Sequence, residues 1–97
     1  MTLQEFANQF ITYIRQNGGS VSNWYVGICS DIKQRLFGDH NVSPNGMFIY
    51  DNAQTENNAR WVEKYLIESL GTKGDTGGGD YSTTWVYAYK ITTETRE

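Results

Sequence analysis

The segment from Tyr25 to Arg35 contains residue types that a phosphodiester-cleaving site uses. Tyr25 supplies a phenol, and Gly27 leaves room for another group to approach the backbone closely. Arg35 supplies a planar fork of hydrogen-bond donors that suits a phosphate group. Ordinary structural roles remain open, since a tyrosine can fill a core, a glycine can mark a bulge, and Asp31 can pair with Arg35 along one helix. The combination resembles one half of a phosphodiester-cleaving site.

A carboxylate lies inside the apolar stripe of a later helix. On a helical wheel at about 100° per residue, Glu63 falls within this stripe. The stripe consists of Ala59, Val62, Leu66, Ile67 and Leu70. A carboxylate among apolar neighbours is costly to desolvate unless a cation, a proton or a hydrogen-bond donor meets it. Glu63 therefore either reaches solvent from the edge of the stripe, forms a structural ion pair with Arg35 or a lysine, or binds a divalent cation such as Mg²⁺.

Three helices and three strands are expected to position these residues. Capping residues and apolar periodicity predict helices at about 2–17, 30–37 and 54–70. Runs of aromatic and β-branched residues predict strands at about 23–28, 47–51 and 84–91. The expected fold is therefore α+β, with a small three-stranded sheet flanked by helices in a single domain over residues 1–97.

The ends of these elements carry further expectations. Thr2 and Glu5 fit a capping box, Ser30 is expected to cap the second helix, and Gly38 is expected to close it. The glycine-rich segment 71–82 is expected to be a loop. Residues after the last strand are expected to fray.

Composition limits the class of protein. The chain has 97 residues, a net charge of −3, and 38% hydrophobic residues without any run long enough to cross a bilayer. The acidic balance argues against strong non-specific binding to nucleic acid, so a nucleic-acid partner would need a local basic patch. One cysteine and no N-terminal export pattern favour the cytoplasm.

Several of these residues resemble a known family. The run Tyr25-Val26-Gly27, together with Arg35 and Glu63, is similar to the second half of the GIY-YIG nuclease domain. The resemblance covers about residues 24–70. It implies that Tyr25 orients or deprotonates the attacking water, that Arg35 stabilises charge on the scissile phosphate, and that Glu63 holds one Mg²⁺ or Mn²⁺ ion.

The family's first motif, Gly-Ile-Tyr, does not occur in the chain. We expect the last strand to take its place beside Tyr25, with Tyr87 or Tyr89 supplying the missing phenol in a permuted topology. His40 is either a proton-transfer group or, as a histidine in a polar loop, a solvated side chain. The family's late asparagine is not identifiable.

Two functions follow as expectations. The first is a divalent-metal-dependent, endonuclease-like domain that hydrolyses DNA phosphodiester bonds through Tyr25, Arg35 and Glu63, with Gly27, His40, Tyr87 and Tyr89 in support. The alternative is a catalytically inactive GIY-YIG-like module that binds nucleic acid or a protein partner. A membrane partner is not expected.

Overall fold

A four-stranded mixed sheet lies between helices in the residues that the computed structural model describes, namely 1–18, 20–74 and 82–97. The elements in chain order are α1 (Leu3–Gln16), a 3-10 turn (Val21–Asn23), β1 (Trp24–Cys29), a π-helix (Gln34–Asp39), β2 (Phe48–Asn52), α2 (Glu56–Tyr65), a π-helical continuation of α2 (Leu66–Leu70), β3 (Lys73–Gly74) and β4 (Trp85–Lys90). The predicted α+β class is confirmed, and the three predicted strands occur within one residue of their expected bounds.

The number of strands was predicted wrongly. The strand order is β2-β4-β1-β3, and β4 is antiparallel to both β2 and β1. The fourth strand, β3, lies in the segment expected to be a loop and pairs parallel with β1, with Val26 opposite Gly74. A β-carbon at Gly74 would lie 2.6 Å from the carbonyl oxygen of Val26, so the glycine permits this approach. Residues 75–81 of the same segment lie outside the described residues.

The first and last long helices begin and end as their capping residues predict. At α1, the Thr2 hydroxyl accepts from the Glu5 backbone N–H at 3.1 Å, and the Glu5 carboxylate accepts from the Thr2 N–H at 2.9 Å. At α2, the Thr55 hydroxyl accepts from the Asn58 N–H at 3.1 Å. The π-helical continuation of α2 ends at Gly71, whose φ of 97° suits a residue without a side chain.

α1 and α2 pack on one face of the sheet, which we call the core face. Its sheet residues are Trp24, Val26, Ile28, Val86 and Ala88, and its helix residues include Phe6, Ala7, Phe10, Ile14, Ala59, Val62 and Leu66. The alternation along β1 and β4 sends every second side chain to this face. The core face thus forms from the periodicities that the sequence displays.

The opposite face, which we call the tyrosine face, has a different cover. Its buried sheet residues are Cys29, Tyr87 and Tyr89, and Tyr25 packs against them. Ile32, Leu36 and Val42, from the π-helix and the residues flanking it, complete this cluster. The sheet therefore separates an apolar layer of aliphatic, Phe and Trp side chains from a layer rich in phenols.

The second helix differs from its prediction in both bounds and geometry. It forms a π-helix that includes Gly38 and ends at Asp39, so the expectation that Gly38 closes it was wrong. Asp31 rather than Ser30 accepts from an N-terminal amide, that of Gln34, at 3.1 Å. The wider turn joins the His40 N–H to the Arg35 carbonyl at 3.0 Å.

Candidate functional site

Three tyrosines from neighbouring strands lie together on the tyrosine face. In the antiparallel pairing of β1 with β4, Tyr25 lies opposite Tyr89 and Gly27 lies opposite Tyr87. The rings of Tyr25 and Tyr89 stack with centroids 5.4 Å apart, and those of Tyr87 and Tyr89 are 6.5 Å apart. The expected position of the last strand beside Tyr25 is confirmed. This strand brings two further phenols to the tyrosine face.

Gly27 leaves the space that the Tyr87 ring occupies. A β-carbon at position 27 would lie 2.5 Å from Cζ of Tyr87 and closer still to the hydroxyl. Carbon atoms normally remain about 3.5–4.0 Å apart, and Tyr87 is buried too deeply to move aside. The close approach expected at Gly27 is therefore made by an aromatic ring from the adjacent strand.

His40 connects these phenols to the last residues of the chain. Its Nε2 atom lies 2.7 Å from the Tyr87 hydroxyl, and its Nδ1 atom lies 2.6 Å from the carbonyl oxygen of Arg96 and 3.1 Å from the Tyr89 hydroxyl. The Tyr25 ring packs against the imidazole at 4.9 Å. His40 is only 5% exposed, so the expectation of a solvated histidine was wrong.

The partners of His40 assign its tautomer. A carbonyl oxygen only accepts, so Nδ1 carries the proton and donates it to Arg96. In the neutral ring, Nε2 then accepts from the Tyr87 hydroxyl. The Tyr89 hydroxyl also donates to the Arg96 carbonyl, at 3.1 Å. The Tyr87 hydroxyl and the Nε2 atom of His40 are therefore joined by a hydrogen bond from a protonated phenol to a neutral imidazole.

Burial sets the protonation states of this group. Burial is the main cause of the lowered pKa of His40, so the imidazole is neutral at pH 7. Burial also raises the pKa of Tyr87 and of Tyr89, so both phenols keep their protons at neutral pH. The resting group is therefore uncharged, apart from the neighbouring arginine.

Arg35 is the exposed member of the group. Its side chain is 47% exposed, and its Nε atom lies 3.2 Å from a carboxylate oxygen of Asp39. The positive charge of Arg35 opposes the effect of burial on the pKa of Tyr87 and adds to the lowering at His40. The expected ion pair with Asp31 is replaced by one with Asp39. An exposed pair of this kind contributes about 0–1 kcal/mol, so it competes only weakly with an incoming anion.

Glu63 lies in another layer of the structure. It is 2% exposed, so the alternative in which its carboxylate reaches solvent was wrong. It belongs to the buried stripe of α2, which packs on the core face, whereas Arg35 belongs to the π-helix on the tyrosine face. The structure thus joins Tyr25, Arg35 and His40 with the tyrosines of β4 but carries Glu63 on a helix across the sheet.

The described residues do not fit a divalent cation at Glu63. Within residues 1–18, 20–74 and 82–97, no three His, Cys, Asp or Glu side chains cluster closely enough to hold a metal ion. Mg²⁺ keeps several water ligands when it binds a protein carboxylate. A glutamate that is 2% exposed leaves little room for those waters. The burial of Glu63 therefore argues against its predicted role as a ligand of Mg²⁺ or Mn²⁺.

The sequence offered no signal for the contribution of residues 92–97. These residues were expected to fray, but the Arg96 N–H donates to the His40 carbonyl at 2.7 Å. The Asn41 side-chain amide donates to the Glu94 carbonyl at 2.9 Å. Three of the four atoms in these bonds belong to the backbone and the fourth to a side-chain amide, and residue types in a sequence do not identify such atoms as partners. The expectation of fraying was therefore wrong.

None of the helices formed by the described residues has both the length and the apolar character that crossing a membrane requires. No known protein family, curated protein or solved structure matches this chain. A functional proposal therefore depends on the chemistry and geometry of the tyrosine face.

Proposed function

We propose that this chain is a GIY-YIG-like nuclease domain of permuted topology that hydrolyses DNA phosphodiester bonds at its tyrosine face. The observation that most supports this proposal is the pairing of β1 with β4. This pairing brings Tyr87 and Tyr89 beside Tyr25, where the resemblance requires a second tyrosine strand that the N-terminal region lacks. Arg35 interacts with Tyr87, and His40 contacts all three phenols.

Exposure divides the group into residues that meet substrate and residues that support them. Arg35 is well exposed and Tyr25 is half-buried, whereas His40 and Tyr87 are 5% and 1% exposed. A substrate phosphate would therefore contact Arg35, and the attacking water would meet the Tyr25 phenol. His40 and Tyr87 lie behind them, where they hold the Tyr25 ring in place.

The chemistry follows from these positions. A guanidinium at the phosphate favours the transition state because negative charge accumulates on the phosphoryl oxygens. A phenol that accepts a hydrogen bond from water orients a water lone pair toward phosphorus. The attacking water forms the new P–O bond and releases a proton to solvent, while the bond to the leaving oxygen of the DNA strand breaks and that oxygen takes up a proton from solvent. Binding of DNA to a chain of net charge −3 would require low salt or local contacts such as Arg35.

A second candidate function has its own support. His40, Tyr87 and Tyr89 are all buried, and Arg35 already has a carboxylate beside it in Asp39. A closed group of this kind is also what an inactive GIY-YIG-like scaffold would retain for stability. In this alternative, the same face binds nucleic acid or a protein without cutting.

Nicking of supercoiled plasmid DNA at low salt tests the proposal. The wild type is compared with Arg35→Ala and Tyr25→Phe, each assayed with Mg²⁺, with Mn²⁺ and with EDTA. Arg15→Ala is the matched control, because Arg15 is an exposed arginine on α1, across the sheet from the tyrosine face. We expect both tyrosine-face variants to lose at least about tenfold in rate, and the control to retain the wild-type rate.

The other outcomes separate the alternatives. Equal nicking by all the variants would assign the activity to another site or to a contaminant. DNA binding that Arg35→Ala weakens, without any nicking, would favour the inactive module. A Glu63→Gln variant, compared across the same three conditions, tests the predicted role of Mg²⁺ or Mn²⁺ at Glu63.

A further inference from the structure

His40 and Arg96 form a reciprocal pair of hydrogen bonds. The Arg96 N–H donates to the His40 backbone carbonyl at 2.7 Å, and the His40 Nδ1–H donates to the Arg96 carbonyl at 2.6 Å. The two bonds point in opposite directions, so each residue fixes the other. The Asn41 side-chain amide, which donates to the Glu94 carbonyl, anchors the same segment two residues earlier.

We propose that the backbone carbonyl of Arg96 is a positioning group that holds His40 in the Nδ1-protonated tautomer, leaving Nε2 to accept the hydrogen bond from the Tyr87 hydroxyl. The proposal adds a third member to the phenol–imidazole pair, in the position that a carboxylate occupies in many catalytic triads. Its catalytic consequence rests on the proposed nuclease function. The tautomer itself does not depend on that function.

The surroundings of His40 favour a backbone carbonyl in this role. The neighbouring charges come from Arg35 and Asp39 on the π-helix and from Glu97 beyond Arg96, and the other faces of the ring meet the Tyr25, Tyr87 and Tyr89 phenols. Among the described residues, no carboxylate hydrogen bond to His40 is found. A neutral acceptor orients the ring but raises the pKa of His40 less than burial lowers it, consistent with a histidine that stays neutral at rest.

The Arg96 side chain is exposed, so only its backbone should matter. Arg96→Ala keeps both hydrogen bonds and is therefore the matched control. Arg96→Pro removes the N–H that donates to His40 and should displace the carbonyl from Nδ1. Tyr87→Phe removes the donor at Nε2 but leaves the Arg96 carbonyl in place.

Two-bond nitrogen–proton correlation spectra of the ¹⁵N-labelled full chain report the tautomer. Because His40 is the only histidine, its ring signals need no assignment. At pH 8 we expect wild type, Arg96→Ala and Tyr87→Phe to show mainly the Nδ1–H tautomer. In Arg96→Pro, the ratio of the Nε2–H to the Nδ1–H tautomer should rise about three- to tenfold, as the loss of one hydrogen bond predicts.

The remaining outcomes decide the proposal. An unchanged tautomer ratio in folded Arg96→Pro would overturn it, as would a switch to Nε2–H in Tyr87→Phe with the carbonyl still present. If Arg96→Pro does not fold, the Tyr87→Phe arm still decides, and a chain that ends at Glu94 removes the same carbonyl without a proline. The expected tautomer shift in a protein that never nicks DNA would support the positioning role while the nuclease proposal fails.

Discussion

The two faces of the sheet are built from different kinds of interaction. The core face is apolar, with aliphatic side chains beside the rings of Phe6, Phe10 and Trp24, and its helices α1 and α2 present apolar stripes to the sheet. The tyrosine face holds phenols, an imidazole and backbone groups in a chain of hydrogen bonds. The hydrophobic effect is non-directional, so the core face tolerates small shifts, whereas the hydrogen bonds of the tyrosine face require particular atoms at particular distances. Stability should therefore depend most on the core face, and chemistry on the tyrosine face.

The largest expected effect is on the core face. Leu66 is fully buried under the sheet, and Leu66→Ala should lower the free energy of unfolding by about 2–5 kcal/mol because it leaves a cavity. Urea unfolding measures this change, and the His40 ring signals of the folded variant should remain as in wild type. Leu70→Ala, at a partly buried position, should cost less. If Tyr87→Phe lowered the free energy of unfolding more than Leu66→Ala, stability would depend more on the tyrosine face than on the core face.

A smaller loss of stability is expected from a substitution at Gly27, on the tyrosine face. Gly27→Ala forces a methyl group into the Tyr87 ring and should cost about 1–3 kcal/mol while moving the hydroxyl away from His40. Gly38→Ala is the control, because its methyl group would meet only the flexible end of the exposed Gln34 side chain. We expect the control to change stability by about 0.5 kcal/mol or less. Equal stability of the two variants in urea would show that the Tyr87 ring has room to move.

The pH dependence of stability tests the burial of His40. Its pKa in the folded protein lies below the ordinary value of 6.5. As the pH falls below about 6.5, the unfolded chain takes up a proton before the folded one, so the free energy of unfolding should fall. This loss should continue until the pH reaches the folded pKa. Urea midpoints at pH 7.5 and 5.5 should therefore differ more for wild type than for His40→Gln, and equal differences would contradict a buried neutral imidazole.

The smallest expected effect lies at the exposed edge of the tyrosine face. Asp39→Asn removes the ion pair with Arg35 and should cost about 0.2–1 kcal/mol, less at high salt. Glu56→Gln is a matched control on α2, since it removes an ion pair of the same spacing from Arg60. Thermal unfolding at two salt concentrations measures both. A salt-independent loss of several kcal/mol at Asp39 would mean that this edge belongs to the buried network.

Local patterns explain which parts of the fold could be predicted. The capping box at Thr2 and Glu5 and the ends of α2 depend on atoms within a few residues of each other, so the sequence displays them. The β4 strand was predicted from its run of aromatic and β-branched residues. The short β3 strand was missed because two residues carry no periodicity, and its pairing depends on the fit of Gly74 against Val26.

The candidate site was predicted in its residue types but not in its connections. Tyr25, Gly27 and Arg35 lie near each other in the chain. The position of Tyr87 beside Tyr25 was predicted because the chain lacks the Gly-Ile-Tyr strand, whose place the last strand was expected to take. The burial of His40 did not follow from its polar loop, because the π-helix and residues 92–97 enclose it. The role of Glu63 stays a prediction, as does the binding of DNA, of Mg²⁺ or Mn²⁺, and of a protein partner.

Short-range preferences in the sequence are sufficient to predict the two amphipathic helices, the aromatic strands and the α+β class, because each depends on the spacing of neighbouring side chains. Only the tertiary structure brings His40 to Tyr87, 47 residues away, and to Arg96, 56 residues away. Those contacts depend on the order of the strands and on a backbone carbonyl that every residue type possesses. Local periodicity thus determines the fold class, whereas the protonation state of His40 depends on contacts between distant parts of the chain.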